Sequence, residues 1–216
     1  MHIEFKNVFF KYKNKEILKG ISFNAQPSTT TFILGETGAG KSTIAKLLMR
    51  FFDVNQGEIF INGKNIKKIS FDSLYQTIGY VSQETEIFND SLKSNINMLN
   101  DVLCLEKIKK ALELSQLSIT DLNEELNKIL GEGGKDLSGG EKQRICLARM
   151  FVKNPKICIF DEPTASLDKK TGTKLMKNIR TIFSHSTNII ITHDESLIKP
   201  ADSVFYLKDG LLLKKN

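Results

Sequence analysis

Gly35-Glu36-Thr37-Gly38-Ala39-Gly40-Lys41-Ser42 fits the pattern G-x-x-x-x-G-K-[ST], a loop that dictates the elements on both sides of it. Upstream, Thr30 to Leu34 reads as a short buried strand. Downstream, Ile44, Leu47, Leu48 and Phe51 recur at the spacing of one apolar helix face. Strand, loop, helix is the context that the pattern requires. Its glycines let the backbone take conformations closed to other residues and come near a phosphate. Exposed N–H groups and the helix N-terminus then bind anionic oxygens. The candidate nucleotide-binding residues are therefore Gly35, Glu36, Thr37, Gly38, Ala39, Gly40, Lys41, Ser42 and Thr43. Lys41 is expected to reach the β- and γ-phosphates of ATP and Ser42 to ligate Mg²⁺, with Thr43 a further phosphate contact.

A second apolar run, Lys156 to Phe160, ends in Asp161-Glu162. A buried strand ending in carboxylates sets them at the C-terminal edge of a parallel sheet, where ligands of open α/β folds bind. Asp161 is expected to hold magnesium through water, and Glu162 to act as general base on the attacking water. Ser138-Gly139-Gly140 precedes a helical stretch from Glu141 to Val152, which makes another anion site by the same N-terminus physics. Taken alone, a serine and two glycines are also an ordinary way to begin a helix.

With these motifs in this order, the chain resembles the nucleotide-binding domain of ABC transporters over nearly all its length. Leu137-Ser138-Gly139-Gly140-Glu141 resembles the ABC signature, with Glu141 where the family usually has glutamine. The resemblance implies that Ser138, Gly139, Gly140 and Glu141 act in trans on ATP held by the phosphate loop of another subunit. Two domains then pack head to tail, as a homodimer or a pseudo-symmetric heterodimer. It also implies that Tyr12 stacks on adenine with Ile17 beside it. Gln83 would be the Q-loop glutamine at Mg²⁺ or water, Asp168 part of the D-loop that crosses to the other subunit, and His193 the switch histidine at the γ-phosphate. The run from Gly57 to Ile96 and Gly131-Glu132-Gly133-Gly134 resemble the exporter type, although Gly133 stands where an arginine is usual. Pro163 to Asp168 is closer to importer wording.

The implied fold is α/β: a P-loop NTPase core with a mostly parallel sheet, an antiparallel β flank and an inserted α-helical lobe. The flank is expected from strands at Ile3 to Phe10 and Ile17 to Asn24. The core should cover 1–83 and 138–216, and the helical lobe 84–137, where Leu105, Ile108 and Leu112 and then Leu122, Leu126, Ile129 and Leu130 repeat at helical spacing. Val204 to Leu213, turning at Asp209-Gly210, reads as a hairpin.

Lys and Arg number 31 against 25 Asp and Glu, a net charge of +6 that reads mostly as solvated lysine surface but also suits anionic headgroups or nucleic acid. No run of like charge is long enough to decide; no nucleic-acid partner is expected. Cys104, Cys146 and Cys158 suit neither a disulfide framework nor zinc; the latter two read as small core residues, in keeping with a reducing cytoplasm. Met1 to Glu4 reads as the start of a strand rather than a signal peptide. The apolar runs are far shorter than the about 20 residues that span a bilayer. The expected role is thus an ATPase at the cytoplasmic face of a membrane, powering export through a separate or fused transmembrane domain. The alternatives are a non-transport ABC ATPase of DNA repair, chromosome organisation or translation, an importer-type subunit, and a nucleotide sensor without useful turnover.

Overall fold

The computed structural model describes residues 1–98, 104–119 and 121–215. A hairpin of β1 (Ile3–Tyr12) and β2 (Lys15–Ala25) leads to β3 (Thr30–Leu34), the phosphate loop and α1 (Lys41–Leu48). β4 (Gln56–Ile61), β5 (Lys64–Asn65), α2 (Phe71–Thr77) and β6 (Ile78–Val81) follow. Next come α3 (Leu92–Ile96), α4 (Leu105–Leu114), α5 (Leu122–Asn127) and α6 (Gly139–Lys153). Beyond them are β7 (Ile157–Asp161), α7 (Lys169–Ile182), β8 (Thr187–Ile191), β9 (Ser203–Lys208) and β10 (Leu211–Lys215).

Two compact units emerge. The first, Met1–Tyr80, Pro155–Glu162 and the chain from Phe183 on, holds both sheets. Its antiparallel flank runs β2-β1-β4-β5, with Ile3 and Phe5, then Val8 and Phe10, of β1 buried at alternate positions on either side of a register shift at the left-handed Asn7 (φ 47°). The other sheet runs β10-β9-β3-β8-β7-β6, and β9, β3, β8 and β7 are parallel to one another. β3, β7 and β8 are buried almost throughout, as strands covered on both faces are, and Ile33, Ile159, Ile189 and Ile191 join Ile44, Leu47 and Leu48 of α1 in one core. The fold is that of a P-loop NTPase, with the mostly parallel sheet and antiparallel flank that the motifs led us to expect.

The second unit, Val81–Asn154 with Pro163–Ile182, is helical. The expected lobe of 84–137 falls inside it, and the unit also takes in α6, which packs on α4 and α3, and α7. Asn178 of α7 donates to the Leu114 carbonyl at the end of α4 (2.7 Å). Arg149 of α6 donates from Nε to the Asn95 carbonyl (2.6 Å), from a terminal N–H to the Asn95 side-chain oxygen (2.8 Å) and to the Glu86 carbonyl (2.7 Å). Asn95, fully buried, in turn bonds both backbone groups of Phe88. Among the described residues, no helix is long and apolar enough to cross a membrane.

Several apolar stripes are narrower than their spacing predicts. Helix α1 stops at Leu48, because Arg50 turns left-handed (φ 54°) and donates to the Ile66 and Ile69 carbonyls, so Phe51 leaves the core and is half exposed. Leu105 is the first residue of α4 and lies outside its buried face of Ile108 and Leu112. Ile129 follows the end of α5 and bridges Ser91 as extended chain, which turns its side chain outward. Cys158 is fully buried, whereas Cys146 is only partly so and accepts from Arg149 (3.5 Å), its thiol pushed up by burial.

Candidate nucleotide site

Parallel pairing gathers the first unit's candidates at one sheet edge. Asp161, the last residue of β7, is in register with Ile191, the last of β8, and Ile191 with Ile33 of β3. The phosphate loop, Asp161-Glu162 and His193 therefore leave the C-terminal ends of three adjacent strands.

The loop's shape depends on its glycines at particular points. Gly35 has φ 149°, and a Cβ there would stand 2.4 Å from the Leu207 carbonyl oxygen. Gly40 has φ 102°, and its Cβ would strike the Ile17 methyl at 2.6 Å. Lys41 is buried and donates to the Gly35 (2.7 Å) and Glu36 (2.9 Å) carbonyls, so its ammonium lies in the curl of its own loop. Beside the loop is a cleft of about 320 Å³ between β2 and the β9–β10 turn, lined by Ile17, Glu36, Thr37, Gly38, Ala39 and Asp209 among others. Tyr12 is not on that lining; it stands edge-on to Phe10 (4.8 Å between centroids) and Phe52 (5.1 Å).

Asp161 is buried, and burial pushes its carboxyl above the ordinary range against the opposing hydrogen bonds from Ser42 and Tyr80. The Tyr80 hydroxyl reaches Oδ2 at 3.3 Å, whereas Oδ1 is buried without a hydrogen-bond partner. Glu162 adopts a left-handed backbone (φ 51°), unusual for a glutamate, and its N–H donates to the Ile191 carbonyl (2.8 Å). Its Oε1 lies 2.9 Å from His193 Nδ1, and its Oε2 accepts from the Thr192 hydroxyl at 3.1 Å. Neither Tyr80 nor Thr192 stands out in the sequence, since a strand tyrosine and a strand-end threonine are ordinary core residues.

Gln83, Ser138 to Glu141 and Asp168 lie in the second unit. Gln83 is exposed in the segment after β6. Ser138 caps α6 in a capping box: its Oγ accepts from the Glu141 N–H (3.2 Å) and donates to Glu141 Oε2 (2.7 Å), which also accepts from the Ser138 N–H (2.8 Å). These bonds hold the Glu141 carboxyl below its ordinary range. A Cβ on Gly140 would approach the Ser166 carbonyl oxygen to 3.0 Å. Asp168 accepts at Oδ1 from the Lys170 and Thr171 N–H groups (3.0 Å each), and so caps α7.

Known proteins share both sequence and shape. The "ABC transporter" family model matches residues 18–165, a span that includes the phosphate loop, the Ser138 motif and Asp161-Glu162. The "Iron-sulfur clusters transporter ATM1, mitochondrial" of Candida albicans is 40% identical over 99% of this chain and 29% of its own length. The "ATM1-type heavy metal exporter" of Novosphingobium aromaticivorans is 38% identical over 99% of this chain and 36% of its own. A solved structure, "Structure of a bacterial Atm1-family ABC exporter with ATP bound", superposes with a TM-score of 0.93 at 38% identity, covering 98% of this chain and 38% of that one. The chain thus spans roughly a third of the length of these relatives. On the match of its motif-bearing span and of its fold, the chain belongs to the ABC transporter family as an ATP-binding domain most like those of exporters.

Proposed function

We propose that this chain hydrolyses ATP to ADP and phosphate and that hydrolysis drives export through a transmembrane domain, separate or fused. The observation that carries the reading is the Glu162 carboxylate, held by two neighbours at the sheet edge where the phosphate loop also begins. Backbone N–H groups of Gly38 to Ser42 bind phosphate oxygens, and the Lys41 ammonium neutralises the β- and γ-phosphates. Glu162 orients the attacking water and takes its proton on a carboxylate oxygen; His193 contacts the γ-phosphate.

The residues fit magnesium. The buried, unpartnered Oδ1 of Asp161 and the Ser42 hydroxyl beside the same carboxyl are hard oxygen donors, which suit Mg²⁺ shared with phosphates. Asp161, through water, and Ser42 would hold it, and when bound it supplies charge neutralisation to the phosphates; Gln83 is a ligand that only the family resemblance suggests. Tyr12 and Ile17 take the adenine. In the second unit, Ser138, Gly139, Gly140, Glu141 and Asp168 serve the nucleotide of a partner domain, and the chain works at the cytoplasmic face of the membrane.

The test is Glu162→Gln. It should keep ATP affinity and slow turnover by about 10²- to 10⁴-fold, on the order of 3–5 kcal/mol of barrier. Turnover near that of the parent would remove Glu162 from the role.

A further inference from the structure

Among the neighbours of the Glu162 carboxylate, Thr192 and His193 differ in kind. Thr192 is fully buried, and His193 has 70% of its side chain exposed. The Thr192 hydroxyl donates to Glu162 Oε2 (3.1 Å) and accepts from the Asp194 N–H (3.1 Å), so its rotor is fixed at both ends. Its backbone N–H donates to the Ile33 carbonyl (3.2 Å) on β3, the strand that feeds the phosphate loop. Glu162 is bound to the residue before Thr192 through the Ile191 carbonyl. One residue thus ties the end of β7 to β8 and β3 at once.

We propose that Thr192 is a positioning residue for the hydrolysis: its hydroxyl fixes the Glu162 carboxylate, while the exposed His193 is the partner free to turn toward nucleotide. The inference rests on Glu162 being the base. Two facts make a fixed anchor necessary. A terminal carboxylate torsion is broad and two-fold, so it does not set its own direction. The left-handed backbone of Glu162 is a conformation that persists only where surrounding contacts over-determine it. A hydrogen bond from a buried hydroxyl on a strand-tethered residue meets that need; one from a side chain in solvent does not.

The experiment compares Thr192→Val, Thr192→Ser and Glu162→Gln, alone and combined, in the intact protein that carries this chain. Thr192→Val swaps the hydroxyl for a methyl of similar size. It should lower kcat about 5- to 20-fold while KM for ATP and nucleotide affinity stay within about twofold, because the phosphate contacts are untouched. Thr192→Ser should recover most of the loss. In the Glu162→Gln background, Thr192→Val should slow single-turnover hydrolysis by less than about twofold, since the group it positions is already gone. If the valine variant does not fold, Thr192→Ala poses the same question. A slow Glu162→Gln beside a Thr192→Val at the parent rate overturns the inference alone. Losses that multiply in the double variant, or a serine variant as slow as valine, also overturn it. Near-parent turnover of Glu162→Gln overturns the Glu162 role and this inference together.

Discussion

Single side chains divide into those whose chemistry is written in their spacing and those whose chemistry appears only in space. Lys41, Ser42, Asp161 and Glu162 belong to the first kind, because a loop consensus and a carboxylate pair after an apolar run each specify a local geometry. Tyr80 and Thr192 belong to the second: their bonds to Asp161 and Glu162 span 81 and 30 residues, and no local pattern encodes such a reach. Lys41→Ala should weaken ATP binding by tenfold or more, about 1.4 kcal/mol, read by nucleotide fluorescence; a change within about threefold would contradict the phosphate contact. Asp161 offers a test of the opposite sign. Its folded-state carboxyl is raised by burial, so the folded chain holds the proton more tightly than the unfolded one. Stability contributed by the protonated form is present below the unfolded value, about pH 4, and is lost as pH rises through the raised folded value. Asp161→Asn, free of that cost, should stabilise the protein in EDTA more at pH 7.5 than at pH 4. Equal gains in urea unfolding at the two pH values would refute the burial argument.

Among the elements, strands β3, β7 and β8 were legible because apolar runs ending at motif residues leave little choice of placement. Helix ends were not. α1 loses Phe51 to a left-handed Arg50 whose partners, Ile66 and Ile69, lie outside any helical window. The strand-to-helix joint is where backbone geometry is most demanding. Gly35→Ala would press a Cβ onto the Leu207 carbonyl, whereas nothing lies within 4 Å of a Cβ on Gly38. Gly38→Ala should therefore cost only the left-handed conformation, about 1–2 kcal/mol. Gly35→Ala should cost clearly more, with β9 displaced from β3. Urea titration of both variants decides it, and equal destabilisation would mean that the Leu207 contact yields freely.

At the level of the whole molecule, the sequence showed the parts but not which nucleotide each part serves. A capping box is what the chain displays at Ser138, and only family resemblance makes it an intersubunit group. Ser138→Arg should leave ATP binding intact and abolish both pairing and turnover, measured by analytical ultracentrifugation and phosphate release. Parent activity should rise more steeply than linearly with protein concentration, and strict proportionality where only monomers sediment would show that one chain suffices. The box itself has a thermodynamic consequence. The Ser138 hydroxyl donates to a carboxylate of its own helix, so meeting a partner's phosphate means exchanging one charge-assisted bond for another. Such an exchange is nearly isoenergetic, and the like charge of Glu141 subtracts from it further. Glu141→Gln should accordingly slow the dissociation of ATP-bound pairs. On the proposed pairing, the Glu141 carboxylate would then act as a spring, keeping association shallow enough to reverse once the nucleotide loses a phosphate.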